Sequence, residues 1–87
     1  MMIRATGEKE NGRPEWLRII HAANEIDPAM FGEPTSTGPW WAGGYAEEYE
    51  HARVIIDGDG SARIASRTPH GETVLRQTAA RLGIHAS

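Results

Sequence analysis

The segment His51–Arg67, HARVIIDGDGSARIASR, decides the fold. In its first half Ala52, Val54 and Ile56 alternate with His51, Arg53 and Ile55. A period of two, rich in β-branched residues, reads as a half-buried strand. Asp57-Gly58-Asp59-Gly60 follows, and Asp and Gly tolerate the positive φ that a tight hairpin turn needs. Ser61–Arg67 alternates again, with Ala62, Ile64 and Ser66 against Arg63, Ala65 and Arg67. The two strands, 51–56 and 61–67, are predicted to pair antiparallel. Val54, Ile56, Ala62 and Ile64 then face the core, and Arg53, Arg63 and Arg67 line the wetter face. A two-stranded hairpin is marginal in water, so another layer must support it.

Upstream, Trp40-Trp41-Ala42 is predicted to supply a third strand, with Gly43-Gly44 as the break before Tyr45. Glu33–Pro39, EPTSTGP, reads as a loop because prolines, a glycine and hydroxyl residues crowd it. Pro14–Ile26 carries Trp16, Ile19, Ile20, Ala23 and Ile26 at three- and four-residue steps, which makes one apolar helical stripe. Pro14 suits a first helical turn, and Pro28 stops the helix. Asp27–Gly32 is expected to form a separate turn capped by Asp27.

Downstream, Thr68-Pro69 offers a cap and a first-turn proline for a second helix over 70–82, whose stripe is Val74, Leu75, Thr78, Ala79 and Leu82. Gly83 then Ile84 reads as a left-handed stop. Met2–Ala5 is expected to be extended, as an edge strand, with residues 1–12 otherwise a mobile loop. The expected fold is α+β: a small antiparallel sheet of two to four strands packed against two helices, 14–26 and 70–82, in a single domain over 1–87.

At 87 residues there is no room for two cores. Cysteine is absent, so neither a disulfide framework nor a thiolate metal site is available. No stretch reaches the roughly 20 apolar residues needed to cross a bilayer. The N-terminus lacks the pattern of a secretory signal, so a cytoplasmic location is expected. The net charge is −3. Residues 1–50 carry four basic and nine acidic groups, and residues 51–87 carry five and three. This acidic balance argues against nucleic acid and fits a protein partner with a basic surface.

The strongest candidate site is an aromatic-acidic cluster, in which Trp40, Trp41, Tyr45 and Tyr49 interleave with Glu47, Glu48 and Glu50. Aromatic faces attract cations, and carboxylates hold Arg or Lys through charge-assisted bonds. The alternative is that one tryptophan fills the core while the glutamates form a solvated loop. Adjacent tryptophans in a strand point to opposite faces, so one of them must be exposed or covered by something else.

The other candidates are weaker. Asp57-Gly-Asp59-Gly-Ser61 has acidic ligands at alternating positions, but its continuation lacks the glycine and glutamate of a calcium loop. His21, His51, His70 and His85 form no zinc-binding pair by spacing. No nucleophile motif or phosphate-cradling glycine loop is present, and nothing in the spacing of Ser66, His70 and Asp59 argues for a triad. Arg53, Arg63 and Arg67 lack the alternating aromatics of an RNA-reading sheet. No cofactor, no metal and no catalytic residue is expected. The expected function is non-enzymatic protein binding. The alternatives are a homodimeric accessory domain whose exposed tryptophan is buried against its twin, and a small metal-dependent enzyme.

Gly38-Pro39-Trp40, followed by His51, Val54, Asp57-Gly58-Asp59-Gly60 and Ile64-Ala65, resembles a cassette of small phage and prophage proteins. There a Gly-Pro-Trp lead-in precedes a hairpin with an Asp-Gly turn, an Ile-Ala exit and a helix. The likeness covers about 30 of the 87 residues. It departs at Val74-Leu75-Arg76-Gln77, where those proteins have Asn-Ala-Arg-Leu. The resemblance implies a mobile-element origin and a small acidic inhibitor of a host enzyme or defence complex. It carries over no site residues.

Overall fold

A computed structural model describes residues 1–7, 9–10 and 12–86. The hairpin forms as the alternation requires. Strand β6, Ala52–Ile56, pairs antiparallel with β7, Ala62–Ser66, placing Val54 opposite Ile64 and Ile56 opposite Ala62. The turn between them closes with the Asp57 N–H on the Ser61 carbonyl and the Gly60 N–H on the Asp57 carbonyl. Strand β1, Met2–Ala5, joins β7 on one side, with Ile3 opposite Ile64. Helix α1, Glu15–Ile26, and helix α2, Pro69–Leu82, bring their stripes against this face.

Ile3, Val54 and Ile64 meet Ile19 and Ala23 from α1, and Val74, Leu75 and Ala79 from α2, in one core cluster. Thr78 is fully buried in α2 and donates its hydroxyl to the Val74 carbonyl, which satisfies it locally. The expected caps form: the Thr68 hydroxyl accepts from the Gly71 N–H, and α2 ends at Gly83 in the left-handed conformation. Asp27 caps the turn after α1 by accepting from the Ala29 N–H.

On its other side the sheet extends further than the sequence predicts. Strand β5, Tyr45–Glu48, pairs with β6, and β4, Ser36–Pro39, pairs with β5. The sheet therefore has five strands in the order β1-β7-β6-β5-β4. Two-residue strands β2, Lys9–Glu10, and β3, Arg13–Pro14, form a separate small hairpin. They fall in the segment expected to be a loop, of which residues 8 and 11 lie outside the described set, as does Ser87.

Two expectations are corrected here. Trp40-Trp41-Ala42 is not a strand: Trp41–Gly43 is a single 3₁₀ turn with Ala42 at φ 55°. The strand lies earlier, within the segment read as a loop. Ser36-Thr37-Gly38-Pro39 has no hydrophobic alternation, and pairing to β5 holds it. The Trp40 N–H bonds to the Gly44 carbonyl, which fixes the phase of the ladder. Residues 36 and 38 therefore face β5, while residues 37 and 39 point their backbone groups out of the sheet. Proline, which has no N–H to offer, sits at one of those outward positions, as edge strands permit.

Candidate binding surface

The β4–β5 hairpin positions the aromatic residues. The Gly44 N–H closes the turn on the Trp41 carbonyl. Ala42 and Gly43 both have positive φ, the pattern that matches strand twist in a tight hairpin. The turn leans on the β6–β7 turn, because Gly58 lies so close to the Ala42 carbonyl that a Cβ at 58 would collide with it. Trp41 projects from this doubly anchored turn and is 80% exposed. Tyr45, the first residue of β5, is 41% exposed, and Trp40 is half-buried outside the core cluster. The three rings share one end of the sheet, with Tyr45 on the helix-facing side opposite Ile56 and Trp40 on the other.

The acidic half of the cluster does not join them. Glu47 lies opposite Val54 on the helix-facing side and accepts the Tyr49 hydroxyl. Glu48 lies opposite Arg53 on the other face and holds its guanidinium. Tyr49, expected at the surface, is 8% exposed, with its ring edge-on to Phe31 at a centroid distance of 5.2 Å. Phe31 supplies the apolar cover and Glu47 the polar partner that let this tyrosine turn inward. Burial, and then the Glu47 hydrogen bond, push its hydroxyl well above the usual phenol range. Glu50 is exposed at the far end of β5, 3.8 Å from the His51 ring.

The β6–β7 turn carboxylates are engaged within the chain. Asp57 holds Arg63 at 3.0 Å, and Asp59 accepts the Ser61 N–H at 2.9 Å and its hydroxyl at 2.6 Å. The Ser61 bonds hold the Asp59 carboxyl below its usual range. Among the described residues no group of three His, Cys, Asp or Glu is placed to hold a metal ion. Ser66, His70 and Asp59 do not assemble, since Asp59 is at the turn preceding β7 and His70 follows that strand.

One polar cluster has no local signature in the sequence. His70 at the start of α2 bonds Asp27, just past α1, at 2.7 Å. Its ring packs edge-on against His51 at 4.8 Å. His51 in turn contacts the Thr68 hydroxyl at 2.7 Å. Asp27 and His70 are 43 residues apart, so only the tertiary fold could bring them together.

The sheet face away from the helices is mixed, with a buried Ile55 among arginines. Arg53 and Arg63 are on it as the alternation predicts, and Arg67 donates to the Tyr49 carbonyl at 2.6 Å. The register adds Arg4, which lies opposite Arg63. An open groove of about 420 Å³ runs beside these residues, lined by Arg4 and Arg63 and, among others, by the carboxylates of Asp57 and Asp59 and by Ser61. No helix among the described residues is long and apolar enough to cross a membrane. No family model, no curated protein and no solved structure matches the chain.

Proposed function

We propose that this chain is a non-enzymatic protein-binding module whose contact is centred on Trp41, with Tyr45 and Trp40 beside it. The observation that carries this reading is an indole left 80% exposed on a turn anchored from two sides. Tryptophan and tyrosine dominate binding hot spots, and a rigid ring gives up little freedom when it docks. The partner offers an apolar pocket for the indole. A basic rim around it suits a chain of net charge −3 and speeds the encounter. An accessory or inhibitory role toward a host enzyme is the narrower form of this reading, drawn from the likeness to small phage proteins.

Capture from a bacterial lysate, read by mass spectrometry, tests it. A partner should be held by the wild-type chain and lost from Trp41→Ala, whose melting temperature should match wild type. A hot-spot loss of 2 kcal/mol or more weakens binding about 30-fold. Identical captured sets would end the proposal. A Trp41-dependent dimer in sedimentation at micromolar concentration would replace the foreign partner with a second copy of the chain.

A further inference from the structure

We propose that the uncovered face of the sheet binds single-stranded nucleic acid, with arginines on its phosphates and Trp40 stacking on a base. This goes beyond the docking of Trp41 and does not rest on it. The register builds the surface. Arg4 and Arg63 are opposite each other on β1 and β7, and Arg53 is opposite Ala65, midway between Arg63 and Arg67. Gly38 and Ala46 stand opposite each other on the same face, and Ala46 neighbours Ile55. Gly38 and Ala46 are half-buried and Ile55 beside them is buried, so the floor at this end is apolar.

Strand alternation sets Trp40 on this side too, two residues beyond Gly38 in extended backbone. The sequence showed no aromatic beside the arginines because β4, which delivers it, has no strand signature of its own.

Charge favours the same ligand. Among the described residues the strand carboxylates on this face are Glu48, which holds Arg53, and Asp57, which holds Arg63. Arg67 is exposed and bonds a neutral carbonyl. Arg4 is exposed and has no carboxylate partner among the described residues. Among the described residues these four arginines face three carboxylates once Asp59, which lines the groove with Arg4 and Arg63, is counted, and Arg4 and Arg67 are the two that no carboxylate holds. Asp59 at the adjoining turn is hydrogen-bonded to Ser61. The acidic remainder of the molecule orients an incoming polyanion toward this face. A guanidinium fork matches phosphate geometry, and an indole offers a stacking surface to any base. A duplex keeps its base faces stacked inside, so the tryptophan favours a single strand. An acidic peptide would use the arginines and leave the indole idle.

The test is fluorescence anisotropy of a labelled oligothymidylate, titrated with the full chain over a series of salt concentrations. Binding should weaken with salt, with a log–log slope of about −0.7 for each phosphate neutralised. Arg4→Ala and Arg67→Ala should each weaken binding several-fold and flatten that slope by about 0.7, while Arg4→Lys keeps the slope. Circular dichroism melts check that the variants remain folded. The proposal is overturned by any of four results. These are no anisotropy change at low salt, equal affinity for polyglutamate of the same length, tighter binding of a duplex, and a slope indifferent to Arg4→Ala and Arg67→Ala.

Discussion

Two backbone positions show how closely this small protein is fitted. Gly71, in the first turn of α2, lies against the His51 carbonyl, and a Cβ there would collide with that oxygen. The carbonyl cannot swing aside freely, because it accepts the Arg67 N–H at 2.9 Å. Gly71→Ala gains about 1 kcal/mol of helix propensity. Overpacking against fixed backbone costs about 1–3 kcal/mol, and we expect the clash to win. Thermal melting should show a fall of several degrees, whereas a rise would mean that α2 does not dock on His51. Ala42 is the opposite case. It holds φ 55° with a Cβ, a conformation that costs roughly 1–2 kcal/mol and that asparagine tolerates better. Ala42→Asn should raise the unfolding free energy measured in urea by an amount on the order of 1 kcal/mol while leaving the exposed indole beside it unchanged. Strain next to that indole agrees with a turn shaped for contact.

The two helices are tied end to start by Asp27 and His70. The His70 hydrogen bond, then the Ala29 N–H, hold the Asp27 carboxyl below its ordinary value. A carboxyl lowered in the folded state lends stability above its unfolded pKa, and loses it as pH falls through the folded one. Wild type should therefore lose more of its urea midpoint between pH 5 and acid below about pH 3.8 than Asp27→Asn does. Equal losses would mean the bond carries no linkage.

At this scale the sequence was legible in part. Trp16, Ile19, Ile20 and Ala23 announced α1, and Val54, Ile56 and Ile64 announced the hairpin, because each apolar face repeats at its element's own period. Strand β5 gave no such signal. Its Glu47 turns a carboxylate toward the helix side and is accommodated by the hydroxyl of Tyr49, a residue otherwise read as surface. The glutamates lie beside the tryptophans in sequence, and pairing across strands separates them. Alternation alone predicts that Trp40 and Trp41 do not both enter the core. Neither ring at 40 or 41 belongs to the core, although a turn rather than a strand exposes Trp41.

As a whole the molecule layers two helices over one face of five strands and leaves the other face without a helix, its arginines around a buried Ile55. Its Cα radius of gyration is 12.0 Å, close to the value of about 12 Å expected for a compact chain of this length. Small-angle scattering at low concentration should return a radius near that of one hydrated copy, and Trp41→Ala should not alter it. A clearly larger wild-type radius that shrinks in the variant would identify self-association through the indole. The edge at β4 bears on how such copies can meet. Of its two outward residues, Thr37 offers a donor and Pro39 offers none, so a strand arriving there finds only half of the donors it needs. Growth into fibrils by repeated edge addition is starved of hydrogen bonds at this border. The protein can therefore display a bare indole at high concentration with its polymerisation route through that strand already blunted.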